Sequence, residues 1–261
     1  MLRTVHAARY VLPFREGGSV PALVEGDDLG QYVVKLRGAS QGAKALVAEL
    51  VSGELARRAG LPVPEIVLVE LPREIAASEP DPEICLPLEA SVGLNVGLDY
   101  LPGSITFDPL VTRLDPVSAS RIVMLDAFVM NVDRTPRNPN LLSWHAKTWL
   151  IDHGASLYFH HGWSPRDPLE GTTDPFAEVK DHVLLPFASS LASAADHLSA
   201  ALTEDVIADV VRSIPDGLLG PEHGFDDVTS HRAAYVAWLR QRLQSIPVIL
   251  EEAERARALR V

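Results

Sequence analysis

Cysteine is nearly absent from this sequence, and so are long apolar runs. Cys85 is the single cysteine in 261 residues, so the chain forms no internal disulfide and offers no thiolate cluster to a metal. The N-terminus does not resemble a signal peptide, and together these features predict a reducing, cytoplasmic setting. Nowhere do about 20 apolar residues follow one another, the length that a membrane helix needs, so no membrane insertion is expected.

Positive charge is also scarce. The chain carries 23 Lys and Arg against 35 Asp and Glu, a formal net charge of -12, and this balance argues against nucleic acid as a partner. The hydrophobic fraction of 47% and the charged fraction of 22% are those of an ordinary globular protein, so extensive disorder is not expected. The length fits one large domain or two lobes that share a cleft.

The first hundred residues predict mainly strands. Alternating or extended apolar runs are separated by turn signals, and one longer segment has helical periodicity and ends at Gly60. The expected elements are strands at Ala7–Leu12, Val20–Glu25, 31–37, Ile66–Glu70 and Ile84–Leu88, a helix at 43–59, and connecting segments at 72–83 and Gly93–Gly103.

From residue 104 onward the pattern becomes helical. Asp115 followed by Pro116 is typical of a helix start, and Pro136 and Pro139 predict a rigid polar loop after that helix. A small hairpin is expected to follow the loop, and helical segments after that. Strands followed by helices predict an α+β protein with two lobes and a cleft between them. The expected boundaries are 1–103 for the strand-rich lobe and 104–261 for the helical lobe.

Two polar segments of the second half have the residue types that phosphoryl transfer needs. Asp133, Asn138 and Asn140 lie in the proline-locked loop, and Asp152 directly follows an apolar strand. Transfer of a phosphoryl group uses one carboxylate near the incoming hydroxyl and further oxygen ligands on Mg²⁺. The loop and the end of the strand therefore predict such a site.

Three features of the first half complete this set. Lys35, on a predicted strand, fits the lysine that binds phosphates, and Glu49 on the following helix fits its orienting partner, with Glu54 as a rival. The turn Gly17-Gly18-Ser19 offers backbone N–H groups to phosphates. Each feature alone has an ordinary explanation as a surface lysine, an exposed helix residue or a plain hairpin turn. Their order along the chain is what favours a kinase.

Five segments resemble the HipA-like kinases, a family distantly similar to protein kinases and phosphatidylinositol kinases. The two motifs of the second half are specific in combination, and the resemblance covers roughly residues 8 to 245. The segments are Tyr32–Gly38, Glu49–Ala56, Gly60–Pro64, Asn131–Leu142 and Leu150–Ala155.

The resemblance implies a two-lobed kinase fold that uses ATP and Mg²⁺. Carried over by position, Asp133 is the catalytic base and Lys35 the phosphate lysine, oriented by Glu49. Asp152 and Asn138 are the implied Mg²⁺ ligands, with Asn140 as a second candidate amide. The segment Asp99, Tyr100 and Leu101 is implied to form the hinge that binds adenine.

The sequence departs from the family pattern at several points. His153 replaces the Phe of Asp-Phe-Gly, and Thr135 stands where related motifs carry His. Ser19 is the nearest equivalent of a loop serine that some members autophosphorylate. The chain is shorter than the full-length toxin kinases, and no counterpart of their extra N-terminal subdomain is expected. This difference weakens the transfer of the toxin role and of the DNA-binding antitoxin partner, and the toxin role stays open.

The sequence favours a kinase that transfers phosphate to a hydroxyl and leaves the acceptor open between protein Ser/Thr, a lipid headgroup, a sugar and another small molecule. A partner protein and the oligomeric state are equally open. Alternatives are a nucleotide-binding pseudokinase or scaffold, an enzyme that transfers AMP, and a hydrolase built on Asp152 and His153. A metal site at His153, His160 and His161 matches no known spacing.

Overall fold

The computed structural model describes most of the chain. The described residues are 2–14, 20–39, 42–76, 81–109, 111–112, 114–163, 165–220 and 224–260. Gly17, Gly18 and Ser19, the expected phosphate-binding turn, lie outside them. No helix within these ranges is long and apolar enough to cross a membrane.

Strands of the first hundred residues close into a barrel, which the sequence did not predict. The order around the barrel is β1-β2-β3-β5-β4, with β1 parallel to β4 and every other neighbouring pair antiparallel. Alternation explains the inward faces, since Tyr32 and Val34 of β3 are buried whereas Gln31 is exposed. The strands are β1 Thr4–Pro13, β2 Ala22–Gly26, β3 Gln31–Lys35, β4 Ile66–Leu71 and β5 Gly93–Asp99.

The predicted first helix is confirmed as α1, Ala43–Arg58. Gly60 lies just beyond the end of this helix, and its φ of +78° is a left-handed conformation that glycine adopts without strain. Most of the helix is buried, because it packs with the helices of the second half in one hydrophobic core, whereas a second core fills the barrel. At its C-terminal end, Nε2 of His197 lies 2.9 Å from the carbonyl oxygen of Ala59.

Two expectations for residues 84–103 are wrong. The predicted strand Ile84–Leu88 is part of helix α3, Pro82–Ala90, which Asp81 caps by accepting a hydrogen bond from the Glu83 N–H. Ile84 and Leu88 lie one helical turn apart and are both buried. The expected connector at Gly93–Gly103 contains strand β5. Its Gly97 is required for close packing, because a Cβ there would lie 2.7 Å from Val69 Cγ2. The short helix α2, Arg73–Ala76, lies in the remaining expected loop.

The second half begins with α4, Pro116–Phe128, and its predicted cap is confirmed. Asp115 Oδ1 accepts hydrogen bonds from the N–H groups of Val117 and Ser118. The predicted hairpin is also present, with strand β6 paired to its first strand. The remaining elements are β6 Ile105–Thr106, β7 Leu141–Trp144, β8 Lys147–Leu150, α5 Leu191–Ala201, α6 Glu204–Arg212, α7 Val228–Gln244 and α8 Ile246–Ala258, with single 3₁₀ turns between β8 and α7.

Candidate active site

The β7–β8 hairpin brings the two polar segments of the second half together. Leu141 pairs with Leu150, and the Ile151 N–H donates to the carbonyl oxygen of Asn140 at 3.1 Å. Asn140 therefore enters the hairpin where Asp152 leaves it. Both residues have left-handed backbones, with φ of +49° and +54°. Such conformations are costly for residues other than glycine, and they cluster at functional sites.

Lys35 reaches this point from the barrel. Its Nζ lies 2.7 Å from Asp152 Oδ1 and 4.0 Å from Glu49 Oε2, and 12% of its side chain is exposed. Burial acts to lower the pKa of Lys35, but the carboxylates of Glu49 and Asp152 outweigh burial and raise that pKa. For Asp152, burial acts to raise the pKa and the Lys35 ammonium outweighs it, so that this pKa is lowered. The pair is therefore ionised.

Glu49 is fully buried on α1 and is held by the segment that follows Asp152. Its Oε2 accepts a hydrogen bond from the backbone N–H of His153 at 2.9 Å, and its Oε1 lies 3.4 Å from Nδ1 of the same residue. The rival Glu54 pairs instead with Arg57 at 2.9 Å on its own helix. Glu49 is therefore the helix carboxylate that the structure brings to Lys35.

Asp133 lies between the two loop amides. Its Oδ2 accepts hydrogen bonds from Nδ2 of Asn138 at 2.7 Å and from Nδ2 of Asn140 at 3.2 Å. Partial burial raises the pKa of Asp133, and the charge of Asp152 adds to this increase, while the amide hydrogen bonds oppose it. A carboxylate with a raised pKa is a better proton acceptor than an ordinary surface aspartate.

The loop that carries Asp133 is fixed from inside by a network that sequence reasoning missed. Buried Arg134 donates from Nε to Asp126 Oδ2 at 2.5 Å, and His182 Nε2 lies 2.9 Å from the same oxygen. Asn131 donates to Asp126 Oδ1 at 3.0 Å. The signal was an aspartate on the otherwise apolar face of α4, since a buried charge requires a partner.

Arg134 also joins the network to the hairpin. Its Nη1 donates to the carbonyl oxygen of Asn140, and it lies 3.4 Å from that of Ile151. The Leu184 N–H donates to Nδ1 of His182, so the proton of this imidazole is on Nε2, directed at Asp126. One arginine thereby ties the loop to both strands that present Asn140 and Asp152.

The expected hinge lies where the barrel joins the helical half. Asp99 ends β5 opposite Tyr32, the Tyr100 N–H donates to Gln31, and Leu101 is buried. Lys35 pairs with the same strand further back, at Val96. Asp99 therefore ends the strand that pairs with Lys35, and Tyr100 and Leu101 follow it, but among the described residues none of the three forms a hydrogen bond or ion pair with Lys35 or Asp152.

The oxygen-rich side chains around Asp152 suit a hard divalent cation. Asp152 is about one-third exposed, and its carboxylate could hold a cation together with an amide oxygen of Asn138 or Asn140, whose amide nitrogens donate to Asp133. Within the described ranges no cluster of three or more His, Cys, Asp or Glu forms a metal site. A cation here would therefore depend on phosphate and water for its other ligands, as Mg²⁺ commonly does in phosphotransferases.

Comparison with known proteins identifies a family and a fold. A model of the HipA-like kinase family matches residues 9–170, more than half of the chain. The structure is similar to that of the Helicobacter pylori proinflammatory kinase CtkA, with a TM-score of 0.61 and 12% identity over 98% of this chain and 99% of that chain. It is also similar to the Golgi casein kinase with Mn/ADP bound, with a TM-score of 0.52 and 13% identity over 100% and 75% of the two chains. No curated protein sequence matches. At these identities the likeness shows a kinase-like α+β fold.

Proposed function

Because this chain belongs to the HipA-like kinase family, we propose that it transfers the γ-phosphoryl group of ATP, bound with Mg²⁺, to a hydroxyl acceptor. The observation that carries the proposal is the meeting of Lys35, Glu49 and Asp152 at one point, near Asp133 and its two amides. These side chains come from the barrel, helix α1, the hairpin and the loop before it. Four separate segments of the chain thus supply the parts that phosphoryl transfer needs.

Lys35 and Glu49 bind and orient the nucleotide in this proposal. The pKa of Lys35 is raised, so its ammonium group remains charged and is suited to bind phosphate oxygens. Glu49, whose Oε2 lies 4.0 Å from this ammonium, orients it. The cleft between residues 1–103 and 104–261 holds the nucleotide, with adenine at Asp99–Leu101. The Golgi casein kinase, of similar fold, was solved with Mn/ADP, which supports nucleotide and metal use here.

Asp152 and one of the two amides would hold the divalent cation. When bound, Mg²⁺ neutralises charge on the phosphate oxygens and fixes their position for in-line attack. In the structure the Lys35 ammonium contacts Asp152 Oδ1, so the carboxylate already faces positive charge at this position. These oxygen donors fit Mg²⁺, which would take its remaining ligands from water and phosphate.

Asp133 accepts the proton of the acceptor hydroxyl. As the hydroxyl oxygen bonds to the γ-phosphorus, the bond from that phosphorus to the bridging oxygen breaks and ADP leaves, while the proton passes to Asp133. The Asn138 and Asn140 amides fix the carboxylate for this step. Protein Ser or Thr hydroxyls are the proposed acceptors. A reducing cytoplasmic setting is also part of the proposal, and the single cysteine supports it.

The direct test is phosphate release from Mg²⁺–ATP, followed by a search for phosphorylated acceptors with labelled ATP. We expect Asp133→Asn to lower turnover by about 10²- to 10⁴-fold, because the amide cannot accept the proton. The melting temperature should remain that of the wild type, since the carboxylate is partly exposed and lies outside the buried network.

Wild-type turnover in the Asp133→Asn variant would refute the role of this residue. The intact mass of a labelled acceptor separates a phosphate group from an AMP group. Absence of both hydrolysis and labelling in the wild type would contradict a catalytic role altogether.

A further inference from the structure

His153 occupies an unusual position beside the metal-binding aspartate. It follows Asp152 directly, is completely buried and lies against α1. The ring lies beside Gly53 of this helix, where a Cβ would be 3.7 Å from His153 Nδ1. Glu49, one turn earlier on the same face, receives the backbone N–H and faces Nδ1. The ring therefore lies in a notch between a carboxylate and a glycine.

The imidazole ring of His153 presents its Nδ1 atom to the carboxylate of Glu49. Its Nδ1 has Glu49 Oε1 at 3.4 Å, and its Nε2 has no hydrogen-bond partner among the described residues. A carboxylate oxygen accepts, so Nδ1 is the atom that carries the proton in this contact. A phenylalanine at this position would fill the notch but leave Oε1 without a donor, and an unsatisfied buried oxygen is costly.

Helix α1 is attached to the segment after Asp152 at further points of the same face. Lys44 Nζ donates to the carbonyl oxygen of His160 at 2.6 Å, and a Cβ at Gly154 would lie 3.7 Å from the Ala45 carbonyl oxygen. Positions 45, 49 and 53 repeat every four residues and so form one stripe along the helix. This stripe of α1 therefore faces His153 and Gly154.

We propose that His153 is a positioning residue that acts through Glu49. By donating from its backbone N–H and from Nδ1, it keeps both oxygens of Glu49 in place while Asp152 is engaged elsewhere. With Asp152 committed to a cation, Glu49 is the remaining carboxylate beside Lys35, and its position fixes where that ammonium meets the phosphates. This inference rests on the proposed function.

Three substitutions of His153 separate this role from simple packing. His153→Asn places an amide N–H near the position of Nδ1, whereas His153→Gln places it further out and His153→Phe supplies none. We expect the KM for Mg²⁺–ATP in ATP hydrolysis to rise roughly tenfold in the Phe and Gln variants, because a hydrogen bond to a charged group is lost. In the Asn variant the KM should return to within about threefold of the wild type.

Amide hydrogen exchange over residues 43–58 is the second readout, and it needs no nucleotide. We expect faster exchange in the Phe and Gln variants and wild-type exchange in the Asn variant, since the helix loses an attachment only where Nδ1 has no substitute. Failure of the wild type both to hydrolyse ATP and to label an acceptor would overturn the proposed function, whereas the exchange data would still decide the role of His153.

His197→Phe is the matched control, because His197 contacts the other end of the same helix and does not contact Glu49 in the described structure. It should lower the melting temperature and leave the KM unchanged. The proposal is overturned if His153→Phe keeps the wild-type KM and exchange, or if the Asn variant is as impaired as the Gln variant. The Asn–Gln comparison decides the matter if the Phe variant does not fold.

Discussion

Two groups of charged side chains lie on opposite sides of the loop 131–140, and they differ in how their charges are satisfied. On the inner side, Asp126 is enclosed by Arg134 and His182. On the outer side, Lys35 is shared between Asp152 and Glu49, and the donors that reach the Asp133 carboxylate within the described part of the chain are amides. In the inner group the carboxylate is balanced by a cationic side chain of the protein itself. In the outer group the carboxylates outnumber the cationic side chains.

The pKa values show the same contrast. For Asp126 burial acts to raise the pKa, but Arg134 and His182 outweigh it and the pKa falls well below the ordinary value. For Asp133 burial and the neighbouring Asp152 raise the pKa. Two aspartates seven positions apart are thus shifted in opposite directions by their surroundings. Asp126 has a cationic partner inside the protein, whereas Asp133, the proposed proton acceptor, has amide partners.

The largest expected effect in this comparison is on the inner group. Asp126→Asn leaves Arg134 as a buried charge without a counter-ion, which destabilises a protein by about 3–5 kcal/mol. Urea unfolding measures the loss. Asp209→Asn is the matched control, because its pair with Arg212 is exposed and contributes about 0–1 kcal/mol. Equal stability losses in the two variants would show that the inner network does not hold the loop.

The two amides provide a smaller test. Asn138 is exposed, so Asn138→Ala should leave stability unchanged and raise the Mg²⁺ concentration needed for half-maximal hydrolysis by roughly tenfold, about 1.4 kcal/mol. Asn140 is buried with φ of +49°, so Asn140→Ala should lower stability by about 1–2 kcal/mol, since alanine tolerates that conformation poorly. If Asn140→Ala instead raises the required Mg²⁺ concentration and Asn138→Ala does not, Asn140 is the metal ligand.

The smallest expected effect is a difference in the pH at which the inner and the outer aspartates, Asp126 and Asp133, become protonated. Because the pKa of Asp133 is raised above about 3.9, lowering the pH protonates it first and removes activity. Because the pKa of Asp126 is lowered, its stabilisation is present above the unfolded value near 3.9 and is lost only as pH falls toward the folded value. Activity and circular dichroism against pH check this order. Loss of fold before loss of activity would contradict it.

The sequence predicts the elements whose ends are marked by neighbouring residues, and it fails for elements that depend on contacts between distant parts of the chain. The Asp115–Pro116 cap and Gly60 marked helix ends correctly, because each acts through its own neighbours in the chain. The sequence does not predict strand β5, because its glycines are typical of a connecting segment. In the fold, Gly97 is needed because a Cβ there would meet the side chain of Val69. Ile84–Leu88 was mistaken for a strand because a short apolar run fits either element.

The same division holds for the site. Lys35, Glu49, Asp133 and Asp152 could be named from their order along the chain, although their roles remain proposals. The inner network could not, because Asp126 lies on α4 and His182 lies 56 residues later, and only the fold places them together. His153 could be noted as a departure from the family pattern, but its contact with Glu49 required the structure.

The central claim is that the outer group forms a nucleotide site that depends on a metal. Thermal unfolding with and without Mg²⁺–ATP, in the wild type and in Asp152→Asn, tests it most directly. With ATP at about 100 times its Kd, binding should stabilise the wild type by about 2.7 kcal/mol, seen as a rise in melting temperature, and the variant should lose that rise. The same rise in both proteins, or none in the wild type, would contradict the account.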